Sequence, residues 1–467
     1  MSYSETIQYL YNLQKYGIKF GLDNIRRFTH AFDQPYTSYS SIHVGGTNGK
    51  GSTSALIASI LRNAGFRVGL FTSPHLVSFT ERIKVNGEEI TEHDVIELTE
   101  VMRDVVARSE GFSPTFFEVV VMMAFLYFER KQVDVAVFEV GMGGRLDATN
   151  IITPLVSVIT NINYDHKEFL GDTLKEIAQE KAGIIKGGVP VVTSSQEREA
   201  MEVIKKKARE NNATLHKFGE EFWSFLKKET ISEICFDYHS KDSLEIRDIT
   251  IPLAGEYQMH NASVAIKAAT IALDCLQFAV AKKQKDGIVS VIRDGLAEIH
   301  WPGRLEMIRE SPPIMIDGAH NPAAAHALSK ALKRNFLVRY RGIILVLGIM
   351  GDKDARGIME PLLPIASEVI LTAPSYSRAA APENLSGVAA SLGFFHVRIA
   401  RTVKDAIEMA ISIAESEFRN EKLNPNFVLP QADRKQKSLI LITGSFYTIG
   451  EAKEVIGVKG VFSRLRE

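Results

Sequence analysis

The stretch His43–Ser52, HVGGTNGKGS, sets Gly45, Gly46, Gly49 and Gly51 around a single lysine, Lys50. Glycines let a backbone curl until several N–H groups face one anion, and a helix opening directly after the turn adds its positive end. A lysine at that point is a cation for β- and γ-phosphates. The preceding SIHV reads as a strand, and the following STSALIASILRNAG reads as a helix closed by Gly65. Thr47, Asn48, Gly49, Lys50, Gly51 and Ser52 are therefore candidate nucleotide contacts. Two positions depart from the phosphate-loop pattern. Val44 stands where its first glycine belongs, and Gly51 replaces the hydroxyl residue that normally holds magnesium on the nucleotide. Other side chains must then hold the metal.

Glu139 closes the apolar strand VDVAVFEV. A carboxylate there is costly to bury unpaired, and phosphate-loop enzymes place an acidic metal ligand or water-positioner at that point. His166, in NYDH after the strand LVSVITNI, reads equally as a surface residue or a ligand, and magnesium prefers oxygen to imidazole. Lys181, in QEKAGIIK, reads from composition as one helix-surface lysine among many.

The elements that must position these groups alternate strand and helix from Ser41 to about Val192, which implies an α/β fold with a mostly parallel, phosphate-loop-type sheet covered on both faces. Between Gly219 and Gly255 the segments ISEICFDYHS and SLEIRDITIPL alternate like antiparallel strands, so an appended antiparallel hairpin is expected, followed by a helix from about His260. Pro302 and Gly303 in HWPGRLEMI break regular structure and mark a boundary. Beyond it PIMID, GIILVLGI, EVILTAP, HVRIAR and SLILITGS restart the alternation as a smaller Rossmann-like domain. The expected division is 1–300 and 301–467, with a polar excursion from about Glu415 to Lys437.

Composition sets outer bounds. The 467 residues suit two or three domains, and 55 basic against 56 acidic residues, a net charge of −1, give no footprint for nucleic acid. Cys235 and Cys275 are the only cysteines, which fits a reducing compartment and argues against a disulfide scaffold and a cysteine-based zinc cluster. The N-terminal segment lacks a signal peptide's apolar run, and no stretch approaches the roughly 18 apolar residues of a membrane span. A cytoplasmic protein with no membrane partner is expected.

GTNGKGS, GLFTSPHLVSFTERIKVNGE, VDVAVFEVGMGGRLDATN, VSVITNINYDHKEFLGDTLKEIAQEKAGIIK, GEYQMHNASVAI, WPGRLE, IDGAHNP and ITGSFYTIGE together span nearly the whole chain. In content and order they resemble the Mur ligase superfamily, specifically its folylpolyglutamate synthase/dihydrofolate synthase branch. The resemblance implies ATP and two magnesium ions, with Ser73, Glu139 and His166 as protein ligands; Ser73 then replaces the hydroxyl missing at Gly51, and Ser52 is its rival. It implies that Lys181 is carbamylated by CO₂ into an anionic ligand near the second metal. Asn261, Arg304 and Asp317 match positions around adenine, phosphates and ribose, while Asp147 and Arg82 match candidates for the pterin-bearing substrate. His320, Ser445 and Tyr447 are expected at the cleft near incoming glutamate.

The implied reaction is ATP-dependent ligation of L-glutamate to dihydropteroate, to a folate tail, or to both, through an acyl phosphate, in a protein of a family whose members are commonly monomers. Lys50, His166 and Lys181 would serve catalysis, and a general base is left open between His320 and Asp317. SPTFFEVVV differs from the LTEFE-like stretch of many bifunctional members and leaves the acceptor undecided. Two alternatives remain: a ligase acting on a UDP-muramyl peptide, which SPHLVSFTER and GGRLDATN disfavour, and a nucleotide-dependent switch, against which no [NT]-K-x-D motif is present.

Overall fold

The structure, a computed structural model, describes residues 1–17, 21–277, 285–422 and 437–457. Among these residues, eight strands form the first sheet: β1 (Ser40–Gly45), β2 (Val68–Phe71), β3 (Ile83–Val85), β4 (Glu88–Glu89), β5 (Val135–Glu139), β6 (Val156–Ile159), β7 (Val191–Thr193) and β8 (Leu215–Lys217). Their spatial order is β4-β3-β2-β5-β1-β6-β7-β8. The central strands pair in parallel, while β3 and β4 add an antiparallel edge. β5 and β6 are buried along their whole length, as strands covered on both faces must be, and apart from Glu139 and Ser157 their residues are Val, Ala, Phe and Ile.

Helices supply the two covers. Lys50–Asn63 and Tyr257–Cys275 pack on one face, where the core cluster runs from Ile42 and Val44 to Ala262, Val264 and Ala265. Phe116–Arg130 lies within the opposite cluster, buried at every position from Val119 to Phe125, and its start is fixed by a reciprocal Thr115–Glu118 capping box. The expected hairpin after Gly219 is a three-stranded antiparallel meander of β9 (Phe222–Glu229), β10 (Ile234–Ser240) and β11 (Glu245–Ile251). The extra strand was missed because FWSFLKKE, with its Lys227-Lys228-Glu229 end, lacks a continuous apolar alternation.

The second sheet takes β12 (Glu306–Glu310), β13 (Pro313–Ile316), β14 (Ile343–Leu347), β15 (Glu368–Leu371), β16 (Arg398–Ile399) and β17 (Leu439–Thr443) in the order β12-β13-β17-β14-β15-β16. All neighbours are parallel except β12, which adds an antiparallel edge ahead of the five segments legible in the sequence. Helices Pro322–Ala331 and Ala355–Leu362 cover one face, and Val403–Lys422 and Phe446–Ile456 cover the other. The expected excursion from Glu415 begins inside the helix Val403–Lys422, and its remainder, 423–436, lies outside the described residues.

The two sheets share packing. Leu76 and Val77, from the segment after β2, join the core cluster that contains Ile449 and Ala452. The C-terminal ends of β1, β5 and β6 face this junction. β1 continues to β2 on one side of it while its neighbour β6 continues to β7 on the other, which makes the gap between their C-terminal ends the topological switch point where open α/β sheets bind ligands.

Candidate active site

Strand register does most of the assembly. Val44 pairs with Glu139, and Gly45 pairs with Ile159, so the glycine-rich loop, Glu139 and the segment after β6 emerge side by side. Gly49 caps the helix Lys50–Asn63 with φ of 84°, a conformation glycine adopts freely. A Cβ there would also come 2.3 Å from Asn261 Oδ1, so Asn261 supports the loop from beneath. The loop is laced to its neighbour: Thr47 N–H donates to Asn161 O, Asn48 N–H to Asn161 Oδ1, and the Thr160 hydroxyl to Asn48 O at 2.8 Å. Lys50 opens the helix and donates Nζ to Thr47 O at 3.1 Å.

Gly51 has a steric explanation. A Cβ would lie 2.7 Å from Trp301 Cζ2 and 3.4 Å from Glu139 Oε2. Trp301, from the stretch joining the two sheets, occupies the volume that a serine or threonine side chain would need. A hydroxyl residue at this position would require Trp301 of the inter-sheet segment to shift.

A cavity of about 720 Å³ lies at the junction. Thr47, Asn48, Gly49, Lys50, Gly51, Ser73, Arg82, Glu139, Asp147, His166, Lys181, Arg304, His320, Ser445 and Tyr447 all line it. Ser52, Asn261 and Asp317 do not. Ser52 is 2% exposed inside its helix, and Asp317 is buried with its carboxylate accepting from the N–H groups of Leu305 and Ala319. These three hold the frame of the site behind its lining.

The electrostatics are those of charges taken out of water. Burial pushes the Glu139 carboxyl up to about 7, while Lys50, the Ser73 N–H and Arg304 pull it down. Its Oε2 accepts from Ser73 N–H at 3.0 Å. Burial, then repulsion from Lys50, brings the Lys181 amine down to about 7. Lys181 is 4% exposed and donates Nζ to Gly46 O at 2.7 Å, so the supposed surface lysine is a buried amine tied to the phosphate loop. Arg82, 1% exposed, donates Nε to His75 Nδ1 at 2.9 Å. Asp147 is raised by burial and clamps its own turn, accepting from Met142 N–H and Thr149.

Asp165 is the residue that sequence reading passed over. Its carboxylate meets Lys353 Nζ at 2.7 Å, Asn321 Nδ2 at 3.0 Å, His320 Nε2 at 3.6 Å and His166 Nε2 at 3.8 Å. Burial alone would raise it, but His320, His166 and Lys353 together hold it far below the usual carboxylate range. His166 is brought down to about 4 by burial, partly offset by Asp165. Asn321 also exchanges two hydrogen bonds with Asn48 of the phosphate loop, at 3.1 and 2.9 Å. Lys353, Asn321 and His320 come from the second sheet's loops, so this cluster bridges the two halves of the cleft. On the same wall Tyr447 stacks on Tyr376 at 4.6 Å, Ser445 caps the helix Phe446–Ile456, and His320 holds Gly318 O at 2.8 Å through Nδ1.

A cleft joining a phosphate loop to a second α/β unit is the arrangement of an enzyme that activates one substrate with a nucleotide and closes over a second. Comparison with known proteins gives its class. The Mur ligase middle domain matches residues 44–269, and the Mur ligase glutamate ligase domain matches residues 303–419. The chain is 33% identical over 463 residues to dihydrofolate synthase/folylpolyglutamate synthase of Bacillus subtilis, covering 97% of this chain and 99% of that relative. Mycobacterium tuberculosis folylpolyglutamate synthase complexed with ADP is similar at a TM-score of 0.86 and 32% identity, over 98% of this chain and 100% of the other. An FPGS–AMPPCP–folate complex is similar at a TM-score of 0.80 and 31% identity, again over 98% and 100%. The chain belongs to the folylpolyglutamate synthase/dihydrofolate synthase family.

Proposed function

We propose that this enzyme joins the α-amine of L-glutamate to a carboxylate of dihydropteroate and of folates, with ATP converted to ADP and phosphate. The observation that carries the reading is the shared cavity, in which the Lys50 loop faces Asp147 and Arg82 on one side and the second sheet's His320, Ser445 and Tyr447 on the other. Nucleotide, acceptor and amino acid then meet in one water-restricted volume.

The acceptor carboxylate attacks the γ-phosphorus, the bond to ADP breaks, and an acyl phosphate forms. Lys50 Nζ and the loop amides stabilise charge as the phosphoryl group moves. The glutamate amine attacks the acyl carbon, a proton leaves the nitrogen, and phosphate departs with one oxygen of the original carboxylate. His320 lines the cleft on the side of the incoming amine, with Nδ1 2.8 Å from Gly318 O and Nε2 3.6 Å from Asp165, and is the candidate to relay the proton that the amine loses.

The donor set fits a divalent cation at Glu139: the carboxylate is 4% exposed, lines the cavity beside Ser73, and accepts a single N–H, from Ser73. Ser73, Glu139 and His166 would hold magnesium, which when bound supplies charge neutralisation at the β- and γ-phosphates. Lys181 fits carbamylation, because an amine brought down to about 7 is largely neutral and nucleophilic at pH 8. His166 stands 3.3 Å from Lys353 Nζ, so metal at His166 requires Lys353 to shift. The two halves, divided near residue 300, close over the cavity as a monomer.

Substrate labelled with ¹⁸O in the reacting carboxylate tests the route. An acyl phosphate places one labelled oxygen in each phosphate released; unlabelled phosphate would overturn it.

A further inference from the structure

Behind the cavity wall at Asp147 runs a line of buried polar groups that no step above uses. Thr149 is fully buried, and both its N–H, at 3.0 Å, and its hydroxyl, at 2.5 Å, meet Asp147 Oδ1. On its other side the hydroxyl meets His43 Nε2 at 2.8 Å. A threonine hydroxyl carries one proton, and an ionised carboxylate only accepts. The proton therefore points to Asp147, and His43 must donate from Nε2. That fixes the imidazole tautomer and leaves Nδ1 as a bare acceptor, which has no partner among the described residues.

His43 sits in β1 between Ile42 and Val44 and is fully buried. An aliphatic residue like its neighbours would fill a strand position without an orphaned polar atom, whose burial destabilises the fold. What the imidazole provides that an aliphatic side chain cannot is the Nε2–H. Asp147 Oδ2 meanwhile accepts from Met142 N–H at 3.0 Å, so the carboxylate ties the turn Gly141–Leu146 to the loop at Thr149. Gly141, Met142, Gly143 and Leu146 all line the cavity.

We infer that His43 and Thr149 are positioning residues for Asp147, their Nε2–H to Oγ–H to Oδ1 chain fixing the carboxylate and the glycine-rich turn that form the acceptor side of the cavity. This rests on the proposal that Asp147 faces the pterin-bearing substrate. Neither residue touches substrate, and both act through Asp147.

The test uses the full-length enzyme with tetrahydrofolate, ATP and L-glutamate, and compares Thr149→Val, Thr149→Ser, His43→Val and Asp147→Asn. Thr149→Val keeps the side-chain shape and removes the hydroxyl; it should raise KM for tetrahydrofolate about tenfold, the loss of one hydrogen bond to a charged group. KM for ATP should stay within about twofold on the same scale, and Thr149→Ser should restore the tetrahydrofolate KM. His43→Val should shift the same constant in the same direction, and Thr149→Val added to Asp147→Asn should add nothing. Equal effects of Thr149→Val on tetrahydrofolate and ATP, or failure of Thr149→Ser to rescue, would overturn the inference. An Asp147→Asn variant with unchanged tetrahydrofolate KM would instead overturn the role of Asp147. An impaired Asp147→Asn beside an unimpaired Thr149→Val would overturn the relay alone.

Discussion

Lys50 is the cation best placed to follow charge as it moves from ATP to acceptor, since it opens the helix directly behind the loop and its present contact, Thr47 O, is a single carbonyl. Lys50→Ala should leave melting unchanged and lower kcat by about 10²–10³, the usual loss for a group that stabilises transition-state charge. Glu139 shows what the site costs the fold. Its carboxyl is raised from 4.5 to about 7, so the folded state binds a proton that the unfolded state has lost over this window. The resulting penalty is absent below pH 4.5 and complete above pH 7. Glu139→Gln should therefore stabilise the ligand-free enzyme by about 3 kcal/mol at pH 8 and by nothing at pH 4.5, read by chemical denaturation, while ligation falls. Stabilisation that is equal at both pH values would contradict this origin.

At the scale of elements, the helix Lys50–Asn63 and its loop were legible because glycine spacing and strand–helix order carry their own physical meaning. The replacement of a hydroxyl by Gly51 was legible as a departure, and its reason was not: Trp301 lies far along the chain, and only the folded inter-sheet segment brings Cζ2 to 2.7 Å from a Cβ at that position. Gly51→Ser should therefore disturb the loop, whereas Trp301→Ala combined with Gly51→Ser should recover part of the lost nucleotide affinity. Additive losses in that cycle, measured by ADP binding, would mean that Trp301 is not the obstacle. Asn261 and Asp317 show the converse case. Their motifs mark them as nucleotide contacts, and the structure adds a supporting role: Asn261 lies under the phosphate loop on the buried helix Tyr257–Cys275, and Asp317 accepts from backbone N–H groups. Periodicity could not distinguish a supporting polar residue from a contacting one.

For the whole molecule, the interface of the two halves was the part the sequence did not disclose. Asp165 and Lys353 are separated by 188 positions, and each is an ordinary charged loop residue until the fold sets them 2.7 Å apart. With Asn48 and Asn321 they clasp the phosphate loop to the second sheet. Asp165→Asn leaves Lys353, His166 and His320 together without their shared anion. Removing one partner of a buried pair costs about 3 kcal/mol, so the cleft should open, with a larger radius of gyration by X-ray scattering and a lower kcat. An unchanged radius would assign the cluster to local folding alone.

The most direct measurement is ATP-dependent product formation, read by mass, with L-glutamate and either dihydropteroate or tetrahydrofolate in parallel. The proposed enzyme gives a product one glutamyl residue heavier in both, with one ADP formed per amide. ATP consumed without any amide would contradict the glutamate ligation on which the whole reading of the cleft depends.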